Sequence, residues 1–567
     1  MASVTFKISK MKISQILNSI SIKEWRFVIF LVLGVIFITT IPLIYGWLIT
    51  PVDQSFSGIH FAALNDWFVY YSYLEQARQG SFLFRDLFTA EPSLPVFNPF
   101  WLAVGLGAKI FHLSNLLAFN LFRIVLIPLL YFVVYLFLAY LFSDILKRKI
   151  SLLLLTFSGG FGFFLINQII KYPFNFSGGQ FRWPMDLWVP EFDTFLTVYY
   201  SPHFIASLIL ILFIFLLTAL FVENQKLSYA VWAGISSLIL FLFHPFHILT
   251  IFSVILAYFG CLMFYQRKWL WQLIWYYLIL ATISAPAIFY YLYLLKVDEV
   301  MQQKALQNNC FTTPLWLTIF SYGLVLVFAI FGAYFLFKKK KIFGHNFSEK
   351  WSFIILWAVV SFILIYSPVN YQRRLSEGLH FPLVILMTVG LFGLYQILVD
   401  KKSKLTKRLW SQRYTLLMII SFLLLGSNIF ILAVDLFIYT DRREISYLDN
   451  DLIKAASWLR SVGSNQIIFN SANNVINIIP AYAGRLVYVG HGVETPNFKQ
   501  KQAEVNWFFA KDRPDVTERD FLLKRNINYL FYGPDEQKLG NYNPVVKPYL
   551  KAVYANSKVT IYQVLPR

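Results

Sequence analysis

Long apolar segments alternate with short polar gaps along most of the chain, and this pattern predicts membrane-spanning helices. A helix needs about 20 predominantly apolar residues to cross a bilayer, and eleven segments come near that length. They cover residues 27–49, 115–142, 150–170, 202–222, 228–245, 247–265, 270–293, 314–337, 351–366, 379–399 and 414–438. The sequence therefore predicts an all-α polytopic membrane bundle.

Lysine and arginine are concentrated in every second gap between these segments. Because positive charge stays on the cytoplasmic side of a membrane, we expect the basic gaps to face inward and the remaining gaps to face outward. The basic groups are Lys7 to Arg26, Lys147 to Lys149, Lys226, Arg267 with Lys268, Lys338 to Lys341, and Lys401 to Arg408. With eleven spans, the N-terminus is expected inside and the C-terminus outside the cell membrane.

The composition is that of a multi-pass membrane protein. Of the 567 residues, 58% are hydrophobic and 14% are charged, and the mean hydropathy is +0.59. The net charge of +20 is explained by cytoplasmic loops beside anionic membrane lipids, so nucleic acid is excluded as a partner. The two cysteines, Cys261 and Cys310, provide neither a disulfide framework nor a thiolate metal site.

The first outward loop, residues 50–114, contains a short apolar segment from Asn98 to Phe111. It has about three-quarters of the length of a span, so we expect a re-entrant or interfacial helix on the outer face. The first apolar segment of the chain lacks a small-residue cleavage site and is expected to be a retained anchor. We predict a cytoplasmic N-terminus at 1–26 and a transmembrane domain at 27–438.

The composition changes after Phe437 to that of a water-exposed domain. Four strand-like runs follow, with an apolar helical stretch between the first two, and this pattern predicts a small extracytoplasmic α/β domain at 439–567. The runs are Gln466 to Phe469, Leu486 to Val489, Tyr529 to Tyr532, and Val559 to Val564. A glycine-containing loop with His491 and Glu494 lacks a nucleotide-binding signature.

Asp66 is the first candidate for chemistry. It lies in the first outward loop before an aromatic helical run, Trp67 to Gln79, which would hold it at the membrane surface. A carboxylate there can act as general base on an acceptor hydroxyl. It can equally belong to the N-terminal cap of the helix, because Asn65 and Asp66 are both good capping residues.

Arginines outside the basic gaps form the second group of candidates. Arg373 and Arg374 lie in an outward loop and can hold a phosphate through bidentate hydrogen bonds; alternatively they bind lipid headgroups or pair with Glu377. Arg123 lies inside an apolar segment. It is expected to face a polar cavity or an acidic partner, or to extend its head to the membrane surface.

Acidic and histidine residues at the outer ends of spans are candidates for substrate binding. One of the acidic residues can orient substrate or bind a divalent cation, although no metal site is assigned, and the histidines can donate hydrogen bonds to a phosphate. The acidic residues are Asp186, Glu191 and Asp193, and the histidines are His203, His244 and His247.

Five sequence segments resemble the GT-C superfamily of membrane glycosyltransferases. The chain resembles bacterial members related to protein O-mannosyltransferases and aminoarabinose transferases, and it lacks the WWDxG signature of oligosaccharyltransferases. The segments are LNDWFVYYSYLEQARQGSFLFRDLFTAEP, PMDLWVPEFDTFLTVYYSPHF, LFHPFH, YQRRLSEGLHFPL and AGRLVYVGHGVETP. The resemblance implies a GT-C bundle of about 11 transmembrane helices.

The same resemblance implies an inverting transfer of a sugar from a polyprenyl-phosphate carrier to an extracytoplasmic lipid, glycan or protein acceptor, without a cofactor. It assigns Asp66 as the general base and places Arg373 and Arg374 near the carrier phosphate. Two alternatives remain, namely a transporter or a polymerase or ligase of lipid-linked glycans. A transporter typically has repeated halves and interrupted helices with polar groups at mid-membrane, and no repeat is evident in the sequence.

Overall fold

The computed structural model of the chain describes residues 11–61, 66–167, 183–339, 348–400, 413–471 and 478–566. The chain forms two compact units. The first comprises Met1–Ile41, Asn120–Tyr291 and Asn309–Val434, and the second comprises Pro42–Phe119, Leu292–Asn308 and Asp435–Arg567. The predicted basic group Lys401 to Arg408 lies outside the described residues.

Helices form most of the described chain up to residue 440. Their bounds are Ile13–Asn18, Ile22–Leu48, Asp66–Arg78, Pro99–Ile110, Asn115–Leu141, Ile145–Phe157, Thr194–Tyr200, Pro202–Asn224, Leu227–Phe243, His247–Gln266, Trp271–Val297, Glu299–Gln307, Leu315–Lys338, Glu349–Leu364, His380–Asp400 and Arg413–Thr440. Three short 3-10 helices, Gly162–Leu165, Met185–Leu187 and Gln372–Ser376, lie between them. The prediction of a polytopic helical bundle is confirmed.

The eleven predicted spans are helical over most of their described residues. Among the described residues, nine helices are long and apolar enough to cross a membrane. The two that fall short are Leu227–Phe243, with 17 residues, and Glu349–Leu364, with 16. At 1.5 Å per residue they extend about 25 Å, whereas the hydrocarbon core is about 30 Å thick.

Close packing of helices in the first unit depends on glycine. A Cβ atom at Gly332 would lie 1.9 Å from the carbonyl oxygen of Leu386, and one at Gly390 would lie 2.2 Å from that of Phe328. The helices Leu315–Lys338 and His380–Asp400 therefore touch backbone to backbone, as small residues allow in membrane bundles. The first of these helices is also kinked, with Gly323 at φ 49°.

The C-terminal part of the second unit is built around a mixed five-stranded sheet. Its strands are β3 (Ile467–Phe469), β4 (Leu486–Val487), β5 (Ile527–Tyr532), β6 (Leu550–Ala555) and β7 (Thr560–Val564), in the order β4-β3-β5-β7-β6. Strand β3 is parallel to β4 and β5, and β7 is antiparallel to β5 and β6. The helices Asn450–Trp458, Ile478–Ala483, Phe498–Ala510, Asp515–Lys524 and Pro534–Gln537 complete this region.

The four strand-like runs of the sequence are confirmed as β3, β4, β5 and β7, and so is the small α/β region that they predicted. Strand β6 was not predicted. The sheet core is aromatic and fully buried at Phe469, Phe508 and Phe509. A separate two-stranded pairing joins β1 (Gln54–Phe56) to β2 (Tyr447–Asp449), so the first outward loop and the C-terminal residues belong to one compact unit.

We expect reporter fusions to place Arg148 in the cytoplasm and Arg567 outside the cell. The expected orientation follows from the alternation of basic gaps, since Lys147 to Lys149 and the N-terminal group fall on the same side. Alkaline phosphatase, which is active only outside, and green fluorescent protein, which fluoresces inside, measure the two positions independently. A cytoplasmic signal after Arg567 would overturn this orientation.

Candidate active site

Asp66 is the first residue of the helix Asp66–Arg78 in the second unit. The helix is anchored by large buried side chains: the rings of Trp67 and Phe119 lie 4.2 Å apart, and Tyr70 stacks on Trp101 at 4.7 Å. The Asp66 carboxylate itself is 48% exposed. An anchored helix end with an accessible carboxylate is the geometry that a general base requires.

His491 faces Asp66 from the loop that follows β4. Its Nε2 atom lies 3.7 Å from the Asp66 carboxylate, and the imidazole is buried. The backbone N–H of Val493 donates to Nδ1 of His491 at 3.3 Å, so the proton of the neutral ring belongs on Nε2 and points toward Asp66. The sequence flagged His491 only as part of a tight turn, and the structure places it beside the candidate base.

A partly buried lysine, Lys304, also belongs to the second unit. The Nζ atom of Lys304 is 2.9 Å from the Asp86 carboxylate and also contacts the Glu494 carboxylate. Burial raises the pKa of Asp86, although Lys304 opposes this. Burial alone would lower the pKa of Lys304. The negative charges of Asp86 and Glu494 outweigh this effect and hold the pKa of Lys304 well above its usual value.

Tyr73, two turns after Asp66 on the same helix, connects these groups. Burial has the largest effect and raises the pKa of Tyr73, and the negative charge of Glu494 raises it further. Lys304 lowers this pKa, whereas Asp86 and Asp66 raise it. We call this tyrosine and the polar residues around it the Asp66 cluster. It consists of Asp66, Tyr73, Asp86, Lys304, His491 and Glu494.

Lys304 and Tyr73 were missed by the sequence reasoning. Lys304 is a basic residue in an outward gap, which is the same signal that drew attention to Arg373 and Arg374, so it could have been found. Tyr73 is one of 34 tyrosines, and no local pattern separates it from the others.

The predicted arginine pair lies in the first unit, on the 3-10 helix Gln372–Ser376. The guanidinium of Arg373 stacks over Trp188 at 4.4 Å, and that of Arg374 lies over Phe246 at 4.9 Å. An Arg374 nitrogen is 3.9 Å from the Glu191 carboxylate. Burial raises the pKa of Glu191, and the two arginines oppose that shift. We call this set of side chains the arginine loop.

Glu377 does not pair with the arginines, as one reading of the sequence suggested, but with two histidines. Its Oε2 atom lies 2.7 Å from Nε2 of His247 and 3.6 Å from Nδ1 of His244. Its Oε1 atom accepts a hydrogen bond from the hydroxyl of Ser207. His203 is close by, with its ring 5.0 Å from that of His244. Five of the predicted residues therefore lie near this point: His203, His244, His247, Glu191 and Arg374.

Asp186 and Asp193 have separate structural partners. The Asp186 carboxylate accepts hydrogen bonds from the Gly162 N–H at 2.9 Å and the Ser427 hydroxyl at 2.5 Å, and burial raises its pKa to about 6. Asp193 accepts from the Leu196 N–H at 2.9 Å and caps the helix Thr194–Tyr200. Burial raises the pKa of Asp193 to about 8.

Arg123 is fully buried in the helix Asn115–Leu141. Its guanidinium donates to the hydroxyls of Thr39 at 2.9 Å and Thr40 at 3.0 Å, and to the carbonyl oxygen of Val198 at 3.2 Å. These are neutral acceptors, neither an acidic partner nor the membrane surface. Its role as a substrate contact stays a prediction.

The predicted residues are thus divided between the two units. Asp66 belongs to the second, and the first contains Arg123, Asp186, Glu191, Asp193, His203, His244, His247, Arg373 and Arg374.

No protein-family model matches the chain, and no curated protein matches it. Several solved structures are similar to it. The oligosaccharyltransferase of Archaeoglobus fulgidus tethered with an acceptor peptide gives a TM-score of 0.49 at 13% identity, covering 89% of this chain and 69% of that one. AglB from the same organism, in complex with an inhibitory peptide and a dolichol-phosphate, gives 0.48 at 14% identity, with 88% and 69% covered.

ArnT from Cupriavidus metallidurans, bound to undecaprenyl phosphate, is similar over a larger share of its own length. The TM-score is 0.48 at 10% identity, and the match covers 94% of this chain and 99% of that one. These three identities are at most 14%, and the three TM-scores are below 0.5. The function proposed below therefore rests on residues of this chain.

Proposed function

We propose that this chain is a membrane glycosyltransferase that moves a sugar from a polyprenyl-phosphate carrier to an acceptor outside the cytoplasm. The observation that carries the proposal is that the carboxylate of Asp66 is the most exposed of the three carboxylates in the Asp66 cluster. Its side chain is 48% exposed, whereas Asp86 is 5% exposed and is held by Lys304. Of the three carboxylates in the cluster, Asp66 is the one that an acceptor reaches most easily.

In this proposal Asp66 removes the proton from the acceptor hydroxyl as that oxygen attacks the anomeric carbon of the sugar. The bond from this carbon to the carrier phosphate breaks, and the phosphate leaves with the electron pair. A general base contributes about a hundredfold to ten-thousandfold to such a step. His491, at 3.7 Å, is proposed to position the carboxylate.

Arg373 and Arg374 are proposed to bind the carrier phosphate. Each guanidinium lies over an aromatic ring, which orients its planar face. Guanidinium groups stabilise a leaving phosphate because its negative charge grows as the bond breaks. The acceptor is proposed to be a lipid, a glycan or a protein, and no cofactor is assigned to the reaction.

Replacing Arg374 with alanine is expected to lower kcat/KM for the lipid-linked donor by about 10- to 100-fold, which corresponds to the loss of one charge-assisted hydrogen bond. The assay uses the purified full chain in detergent with a radiolabelled polyprenyl-phosphate sugar, at varied donor and acceptor concentrations. Arg374→Lys should recover part of the activity, because the charge remains and the bidentate geometry is lost.

Arg443→Ala serves as the control for that measurement. Arg443 is half-exposed and pairs with Asp441 at the surface, where an ion pair contributes little. Equal donor kinetics in the Arg374 and Arg443 variants would remove Arg374 from the proposal. The same assay separates the proposed function from a transporter, because a transporter would not release the carrier phosphate from the lipid-linked sugar.

A further inference from the structure

Two imidazoles and one carboxylate direct single atoms toward a common point in the first unit. His244 Nδ1, His247 Nε2 and one carboxylate oxygen of Glu377 lie within 4.8 Å of one another. All three side chains are buried. We propose that His244, His247 and Glu377 form a divalent metal site, suited best to zinc. The proposal is independent of the glycosyltransferase function.

The separations between these atoms fit a small tetrahedral ion. His247 Nε2 is 2.7 Å from Glu377 Oε2, and the other two separations are 3.5 Å and 3.6 Å. Ligand bonds of 2.0–2.2 Å at tetrahedral angles place neighbouring ligand atoms about 3.4 Å apart. Two of the three separations are close to this value. The third must lengthen by about 0.7 Å to reach it, which a small rotation of the Glu377 side chain provides.

The two imidazole nitrogens and the carboxylate converge on one another. Both nitrogens point at the same carboxylate oxygen, and they are 3.5 Å from each other. In the neutral imidazoles, either nitrogen that carries no proton offers a lone pair to a cation. A cation between them satisfies all three lone pairs at once, which is the usual purpose of convergent nitrogen and oxygen atoms.

The local backbone fixes all three ligands in place. His244 directly follows the helix Leu227–Phe243, and His247 begins the helix His247–Gln266. Pro245 lies between them, and its ring restricts the backbone. Glu377 follows the 3-10 helix Gln372–Ser376 and precedes Gly378, whose φ of +84° is readily adopted only by glycine. These backbone restraints hold the three ligand residues in place before a metal binds.

The ligand set indicates which metal binds. Magnesium and calcium prefer oxygen ligands, whereas two imidazoles with one carboxylate are a common zinc set that leaves a fourth position open. The hydroxyl of Ser207 donates a hydrogen bond to Oε1 of Glu377, the carboxylate oxygen that does not face the histidines. Such outer hydrogen bonds orient a metal-binding carboxylate.

The test is the metal content of the purified full chain. After treatment with a chelator and dialysis against zinc, mass spectrometry is expected to find about one zinc ion per chain, as one three-ligand site would hold. The double variant His244→Ala/His247→Ala should retain less than about a tenth of that, because a lone carboxylate binds zinc weakly. The control is His112→Asn, since His112 is exposed and has a φ of 51° that asparagine tolerates.

A second variant keeps the test decisive if the double variant folds poorly. In His247→Cys a thiolate replaces one imidazole, and cobalt added in place of zinc should give the intense near-ultraviolet absorption of a thiolate bound to cobalt. A merely structural histidine would not produce this band. Equal zinc in the wild type and in a folded double variant, or a His247→Cys protein without the band, would overturn the proposal. Neither readout requires enzymatic activity, so failure of this proposal is distinguishable from failure of the proposed function.

Discussion

Asp66→Asn is expected to abolish sugar transfer while leaving the protein folded. The amide has the shape of the carboxylate but cannot accept the proton of the acceptor hydroxyl, so the rate should fall about 10²- to 10⁴-fold. The binding of the lipid-linked donor should change little, because the arginine loop rather than Asp66 is proposed to bind the carrier phosphate. The measurement is single-turnover transfer in detergent at saturating donor.

Asp451→Asn is the matched control for this prediction. Asp451 also lies in the first turn of a helix in the second unit, Asn450–Trp458, so it shares the favourable position of a carboxylate at a helix N-terminus. It is outside the Asp66 cluster and should retain wild-type transfer. Wild-type activity in folded Asp66→Asn would remove the catalytic assignment and return Asp66 to a role at the start of its helix.

Lys304→Met is expected to have the largest effect on stability. The methionine keeps most of the length of the side chain but leaves the carboxylates of Asp86 and Glu494, which are 5% and 18% exposed, without their shared cation. Removing one partner of a buried ion pair typically costs about 3–5 kcal/mol. Pulse proteolysis of the purified chain at increasing denaturant concentration measures the change in the second unit.

The loss of stability against unfolding in Lys304→Met should depend on pH. Burial raises the pKa of Asp86 in the folded protein, so the folded state binds a proton that the unfolded state releases. Stability from this group is therefore greatest in acid and falls as the pH rises through the raised pKa. Without Lys304 to oppose the shift, the defect should be large at neutral pH and smaller near pH 5.

Lys454→Met provides the comparison for Lys304→Met. Lys454 is 67% exposed and pairs with Asp451 one turn away on the same helix, and such surface pairs contribute little. If the two lysine variants lost the same stability at neutral pH, the buried cluster would have no special role in holding the second unit together.

Local sequence patterns were sufficient for the elements whose signal is strong. The apolar segments gave the helices because about 20 apolar residues in a row have few other stable arrangements. Four of the five strands in the C-terminal sheet were visible as short apolar runs. Strand β6 was missed because it is an edge strand, and its sequence, LKAVYA, is only partly buried, so it lacks the continuous apolar pattern of a central strand.

The exact ends of the helices depend on specific residues rather than on mean hydropathy. Leu227–Phe243 ends where His244 leaves helical geometry ahead of Pro245, since a residue before proline is disfavoured in a helix. The apolar segment continues past this point, but the helix does not. The kink at Gly323 was likewise invisible in a uniformly apolar segment.

The sequence by itself determined that this is a multi-pass helical membrane protein with a small C-terminal α/β region, and it singled out Asp66 and the two arginines. Only the tertiary structure decided which groups surround them: His491 beside Asp66, Lys304 between Asp86 and Glu494, and Glu377 against two histidines rather than against arginine. Periodicity and charge are properties of neighbouring residues along the chain. The partners of a buried polar group are set by how distant segments pack, because each must find its partner to offset the cost of burial.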